Sequence, residues 1–352
     1  MFQFVYWLRA LAAVMITNAH YADIWPISAL TFGGHFGNCI YFFLSGFCLY
    51  NVHDSFLKWY SKRIVRIYPP LWIAAIFNLV CGFWEANGLM AYVHCLIYPT
   101  WYHFISSIML LYVVFYIIRF VQSKRHIDTR WFLLAFLIIF ILAYIFMFDK
   151  SYYHIDDINE NWCRFMFIES MLFGAYIREN YDKIGDKISL WNVVSFICLG
   201  MLYFICKKIL TSVADASMIQ CVLPIIVVLF ILSLNILFIK IEKKRIFEAA
   251  NKSIKALVTF IAGISLEVYL VQYVIIDHFS GLGENPHGVF NGFLGSEMGV
   301  GKICRSHSEI LCRSFECTAG SCGFHFEKHK HIVAYAFSLV YMVFFFFLKA
   351  KS

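Results

Sequence analysis

Ten stretches of the chain are long and apolar enough to cross a bilayer as helices, and polar or glycine-bearing segments separate them. A spanning helix needs about 17 to 25 mostly apolar residues. Such runs fall near residues 2–22, 34–52, 68–88, 103–121, 131–148, 162–178, 190–210, 219–239, 254–278 and 331–348, the second and last having the least sharp boundaries. The alternating short strands of an outer-membrane barrel are absent. In lipid each segment must satisfy its own backbone hydrogen bonds, so the runs predict an all-α, polytopic transmembrane bundle of about ten spans. The first run begins at Phe2 with no basic stretch ahead of it and no small-residue cleavage pattern behind it, and reads as a retained helix rather than a signal peptide. Chemistry in such a chain falls to residues in or beside the bilayer.

Composition agrees: 61% of the residues are hydrophobic, 14% are charged and the mean hydropathy is +0.70, against roughly one quarter charged in a soluble domain. The few charges are unevenly placed. The connections after spans two, four, six and eight, with the C-terminal tail, carry nineteen Lys and Arg, and the opposite connections carry eight. The positive-inside rule therefore puts both termini in the cytoplasm. The net charge of +7 follows from topology and implies no nucleic-acid partner.

Arg9 and His20 stand out against this background. Eleven residues return a helix to nearly the same face, so both line one wall of the first span, roughly 16 Å apart along its axis. Arg9 belongs to the cytoplasmic half and His20 lies toward the exterior. The plain readings are a snorkelling arginine and an interfacial histidine; their shared face favours function, since ionisable groups inside a membrane mark sites.

A glycine-rich turn, Gly33-Gly34-His35-Phe36-Gly37, then returns the chain into Tyr41-Phe42-Phe43-Leu44-Ser45-Gly46-Phe47. The Ser-Gly pair lets another backbone or a ligand come close. Ser45 lacks the flanking glycines of a nucleophile elbow and reads as a packing residue before a nucleophile. Basic and aromatic residues alternate from Phe56 to a Pro69-Pro70 break that opens span three. This segment serves either as an anchor on anionic lipid or, because Arg63 and Arg66 share a helical face, as a grip on phosphates.

Together these pieces resemble the acyltransferase-3 family of integral-membrane O-acyltransferases. The likeness rests on Arg9 with His20 eleven residues on, on Phe42-Phe43-Leu44-Ser45-Gly46-Phe47, and on Arg63-Ile64-Val65-Arg66 followed by Ile67-Tyr68-Pro69. Arg164 with Phe173-Gly174 is similar to the family's mid-chain span, and Ser265-Leu266-Glu267-Val268-Tyr269-Leu270 to its late helix. The resemblance implies transfer of an acyl group, usually acetyl, from cytoplasmic acetyl-CoA to a hydroxyl on a glycan or other extracytoplasmic acceptor. It makes His20 the catalytic histidine, Arg9 its polar or donor-binding partner, and Arg63 and Arg66 ligands for coenzyme A phosphates. Chemistry asks for such a base independently: the attacking hydroxyl must lose a proton, and an imidazole near 6.5 is suited to take it. His20 acts as a general base or as an acyl carrier. The chain departs from the family where an acidic residue commonly precedes the basic one, since Val5-Tyr6-Trp7-Leu8 precedes Arg9. Asp23 either orients the imidazole or ends the helix.

Glu169 and Arg164 in span six and Glu267 with Gln272 in span nine are further polar groups at membrane depth; Glu267 has a structural or donor-channel role, and Asn78 reads as a helix-to-helix hydrogen bond. The layout divides the chain into residues 1–280, the membrane domain; 281–330, a Gly/Cys/His-rich extracytoplasmic loop; and 331–352, a final span with a short tail. Cys304, Cys312, Cys317 and Cys322 lack zinc spacing, so no metal is expected, and in an oxidising compartment they have three possible pairings. A divergent or frame-shifted tail is a further account of this region. The other eight cysteines read as packing residues. The expected location is the cell membrane. The alternative function is a transporter or exporter of a glycan or lipid precursor with Arg9, His20, Glu169 and Glu267 along its path, but the halves of the chain do not match as transporter repeats do.

Overall fold

The computed structural model describes residues 2–20, 31–157 and 161–280, which form α-helices with no strand among them. The helices are α1 (Gln3–Ala19), α2 (Gly34–Cys48), α3 (Phe56–Val80), the short α4 (Leu89–Tyr92) running into a π-turn (Val93–Ile97), α5 (His103–Arg125), α6 (Thr129–Met147), α7 (Cys163–Glu179), α8 (Leu190–Ser212), α9 (Val222–Lys243), the short α10 (Ile246–Ala249), α11 (Lys252–Gly263) and α12 (Ser265–Ser280). Five of them, α3, α5, α6, α8 and α9, are long and apolar enough to cross a membrane, and the bent pair α11–α12 makes a sixth. With 17, 15 and 17 residues, α1, α2 and α7 are at or below the lower limit of a crossing. Helical class and membrane character therefore stand, at a coarser count than ten. The expected last span, the Cys/His-rich loop and Asp23 lie outside the described residues.

One boundary was misplaced by the apolar pattern. The expected break at Pro69-Pro70 is absent, and α3 runs through both prolines from Phe56 to Val80. The two carbonyls that lose amide donors belong to Val65 and Arg66, both exposed, and a helix keeps its course through proline where freed carbonyls find other partners. The helix stops instead where Gly82 takes a positive φ of 72°. There the Asn78 carbonyl accepts from the amides of Phe83 and Trp84, a glycine-dependent C-terminal motif. Span three thus ends at Val80 rather than residue 88.

Two ends of the bundle are distinct. At one, Glu242 accepts from the amide of Phe4 (2.6 Å), capping α1, and Lys243 donates to the carbonyls of Tyr181 and Ile184. The guanidinium of Arg178 lies 4.5 Å from the Phe2 ring centre. Arg119 joins α5 to α7: Nη1 donates to Glu179 (3.0 Å) and Gln122 (2.7 Å), Nε donates to the Tyr50 carbonyl, and Thr129 donates to the other Glu179 oxygen. This is the basic end. At the opposite end Thr17 meets Gln272, and Tyr102 donates to the Leu270 carbonyl. Arg119 is largely covered, so Arg119→Ala strands a carboxylate and a carbonyl. Melting of the purified protein in detergent is expected to show a loss of about 2 kcal/mol, which Glu179→Ala does not deepen when combined with it.

At the centre, α2 crosses α7 at backbone contact. A Cβ on Gly46 would overlap the Met171 carbonyl, and one on Gly174 would overlap the Phe43 carbonyl. Close approach of this kind is how helices gain van der Waals contact in lipid, where apolar burial gives no drive. Around this centre α6 and α8 turn large apolar side chains outward, among them Trp131, Phe146, Leu190 and Trp191.

Candidate functional site

Beside that crossing, five helices enclose a cavity of about 360 Å³. From α1 it receives Val5, Arg9 and Ile16; from α2, Tyr41, Ser45 and Cys48; from α3, Lys62, Arg63 and Arg66; from α5, Phe104, Ile105, Ile108 and Tyr112; and from α12, Ser265, Leu266 and Tyr269. Cations gather on the α3 side, near the basic end. Arg9, the Cys48 thiol, hydroxyls and apolar side chains form the rest.

Arg9 is fixed by α12. Its Nη2 donates to Ser265 Oγ (3.3 Å), and that hydroxyl donates to the Ala262 carbonyl (3.1 Å). Ser265 follows the 58° bend between α11 and α12. The bend frees the Ala262 carbonyl, and Ser265 returns a donor to it, the repair a broken membrane helix needs. Tyr41 donates to the Arg9 carbonyl (3.1 Å).

The three cations of α3 are not equivalent. Arg63 donates to the Trp59 carbonyl (2.6 Å) and its guanidinium lies 4.0 Å from the Trp59 ring centre. Lys62 is paired with Asp54 (2.5 Å), which Lys58 also meets at 3.0 Å. Hydrogen bonds from those two lysines hold the Asp54 carboxyl down at about 2, so the pairing persists throughout the neutral range. Arg66 has no hydrogen-bond or ion-pair partner among the described residues, which leaves its planar fork open to an anion.

Ser45 stands in the wall with no His, Asp or Glu among the residues lining the cavity. Without a proton acceptor its hydroxyl is a poor nucleophile. Its neighbour Gly46 is the position that lets α2 meet α7. Tyr269 accepts from the Phe104 amide (3.3 Å), tying α12 to the first turn of α5.

Of the residues singled out by sequence, Arg9, Ser45, Arg63, Arg66 and Tyr269 line one cavity; His20, Glu169, Arg164 and Glu267 lie outside its walls. His20 closes α1 as its C-cap, its amide donating to the Thr17 carbonyl. Ile16, the last cavity residue on α1, is one turn before it. Glu169 is 9% exposed, and its Oε1 has no partner among the described residues. Glu267, 6% exposed, directly follows wall residue Leu266. Arg164 belongs to another group: its Nε donates to Ser107 (3.2 Å), beside His103 and Cys163.

Sequence reasoning missed Tyr112 and, although it singled out the motifs that contain Tyr41 and Ser265, gave those two no role. Tyr41 carries a usable signal, lying four residues before Ser45 on the same helical face. Tyr112 carries none, because only the meeting of α5 with α2 and α3 brings it to the wall.

A helical membrane bundle with a cation-edged cavity beside a polar first helix defines a membrane acyltransferase once its sequence relationship is added. The chain belongs to the acyltransferase-3 family: the family model described as an acyltransferase domain matches residues 2–295. Neither the curated proteins nor the solved structures contain a match to the chain.

Proposed function

We propose that this acyltransferase moves an acetyl group from acetyl-CoA, taken up at the basic, cytoplasmic end of the bundle, to a hydroxyl of a cell-envelope saccharide at the opposite end. The carrying observation is the course of the cavity. Its lining includes the exposed Lys62 and Arg66 with Arg63, and on α1 it extends from Val5 past Arg9 to Ile16, a rise of roughly 16 Å. Phosphates suit the cationic edge, and a slender arm ending in a thioester suits the apolar interior. In this reading Arg66 is the principal phosphate ligand, Arg63 a more constrained second, and Arg9 a polar guide midway. His20 takes the proton from the acceptor hydroxyl, which arrives from the other side.

The test is acyl transfer from labelled acetyl-CoA by the purified protein in lipid nanodiscs, alongside the O-acetyl content of envelope polysaccharide with and without the chain. Transfer and a matching loss of O-acetyl groups are expected. Movement of an intact glycan with no thioester consumption supports the transporter reading instead, for which the bent α11–α12 pair is the one structural argument.

The inequality among the cations gives a sharper expectation. A charge-assisted hydrogen bond is worth about 1.5–3 kcal/mol, so Arg66→Ala raises KM for acetyl-CoA roughly 10- to 100-fold with a lesser change in kcat. Arg63→Ala, whose guanidinium is already engaged by Trp59, has a smaller effect on KM. Steady-state kinetics with acetyl-CoA and its dephospho analogue checks this; a KM unaltered by either substitution removes both residues from donor binding.

A further inference from the structure

The transfer proposed above passes through a tetrahedral intermediate whose carbonyl oxygen becomes negative, and the cavity walls leave its stabiliser unassigned. We propose, resting on that reading, that the side-chain amide of Gln272 is the donor that receives this oxyanion.

Gln272 is 2% exposed on α12. Its Oε1 accepts from the Thr17 hydroxyl at 3.0 Å, and its Nε2 has no partner among the described residues. The Thr17 bond fixes the plane of the amide and so the direction of its N–H groups. A buried donor left unmet costs about 1–3 kcal/mol, which makes the position receptive to an oxygen, most of all a charged one. Its place along the fold matters as much. Ser265 meets Arg9 and Gln272 meets Thr17, so α12 runs beside α1 in the same direction. Thr17 directly follows Ile16, where the cavity ends on α1. It is also three residues before His20, a spacing that puts Cβ atoms about 5–6 Å apart on one helical face. Gln272 thus meets α1 at the residue that follows its last cavity-lining position and lies one turn before His20.

The acceptor hydroxyl oxygen attacks the thioester carbon and forms the C–O bond while its proton passes to His20. The carbonyl π electrons move onto oxygen, and the Gln272 N–H donates to that oxyanion. On collapse the C–S bond breaks and the thiolate takes the proton from His20, leaving ester and coenzyme A thiol. A fixed donor aimed at developing charge needs no reorganisation as the charge appears.

Gln272→Glu keeps an acceptor for Thr17 and removes the N–H groups. It is expected to lower kcat about 10²–10³-fold with KM for acetyl-CoA within about twofold, the signature of an interaction made only in the transition state. Gln272→Leu, similar in size and unable to ionise, is expected to match it and carries the test if the glutamate variant fails to fold. Thr17→Val keeps the amide without its anchor and loses about tenfold in kcat. Variants that melt like the unaltered protein and keep its kcat, or whose loss appears only in KM or in the folded fraction, overturn the assignment. An unaltered protein that transfers no acyl group from a coenzyme A thioester overturns the functional reading and this inference with it. An active unaltered protein with equally active Gln272 variants overturns this inference alone.

Discussion

His20→Ala is expected to abolish acyl transfer, lowering turnover about 10²–10⁴-fold, the usual contribution of a positioned general base, while the protein stays folded in the membrane. The separation of these outcomes follows from how His20 is held. At the end of α1 its backbone amide donates to the Thr17 carbonyl, a bond that alanine keeps. The measurement is acetyl transfer by the purified variant beside its melting curve; retained transfer removes His20 from the chemistry. Labelling with acetyl-CoA in the absence of acceptor separates the two roles open to it. A hydroxylamine-sensitive acetyl group on His20 identifies an acyl carrier, and its absence in a protein that still transfers identifies a base.

Gly46→Ala and Gly174→Ala are expected to have the largest structural effects. At each position the added carbon meets backbone across the α2–α7 crossing: the Met171 carbonyl in one case, the Phe43 carbonyl and the Phe47 amide in the other. A backbone cannot rotate away as a side chain does, so the helices must separate along their whole contact. Each substitution is expected to cost about 3 kcal/mol or more, and the pair removes much of a typical stability of roughly 5–15 kcal/mol. Yield of monodisperse protein and melting temperature report this. Ser45→Ala adds nothing at the crossing and retains both fold and transfer; a dead but folded Ser45→Ala would restore the serine as a reacting group.

Much of this architecture was legible because lipid enforces a simple rule. Helices α5 to α9 fall within a few residues of the apolar runs that announced them, since a bilayer permits few other fates for such runs. The pattern failed at α3, where hydrophobicity continues past Val80 but the backbone turns at Gly82. Local backbone chemistry decided that boundary, and a window of hydropathy does not sense it. It was also blind to the 58° bend within residues 254–278, where the expected span is built of two helices. Gly263-Ile264-Ser265 held the clue, a glycine followed by a hydroxyl able to serve the freed carbonyl. For the site, the basic motif of α3 and Arg9 were visible as expensive residues in apolar surroundings. That they share a cavity, while Glu169 and Glu267 stay outside it, depends on how five helices meet. Tyr112 shows this limit plainly: nothing near it in the chain distinguishes it from the tyrosines that face lipid.

The hydrocarbon and aromatic part of the cavity lining, Ile16, Phe104 and Tyr269 among it, bears on something other than catalysis. A membrane that stores voltage is a charged capacitor, and a protein whose cavity reaches into the bundle risks discharging it. Hydrocarbon and aromatic walls at a constriction repel water and the ions it carries. With such a lining, a cavity can reach into the helices while the bilayer keeps its electrical resistance.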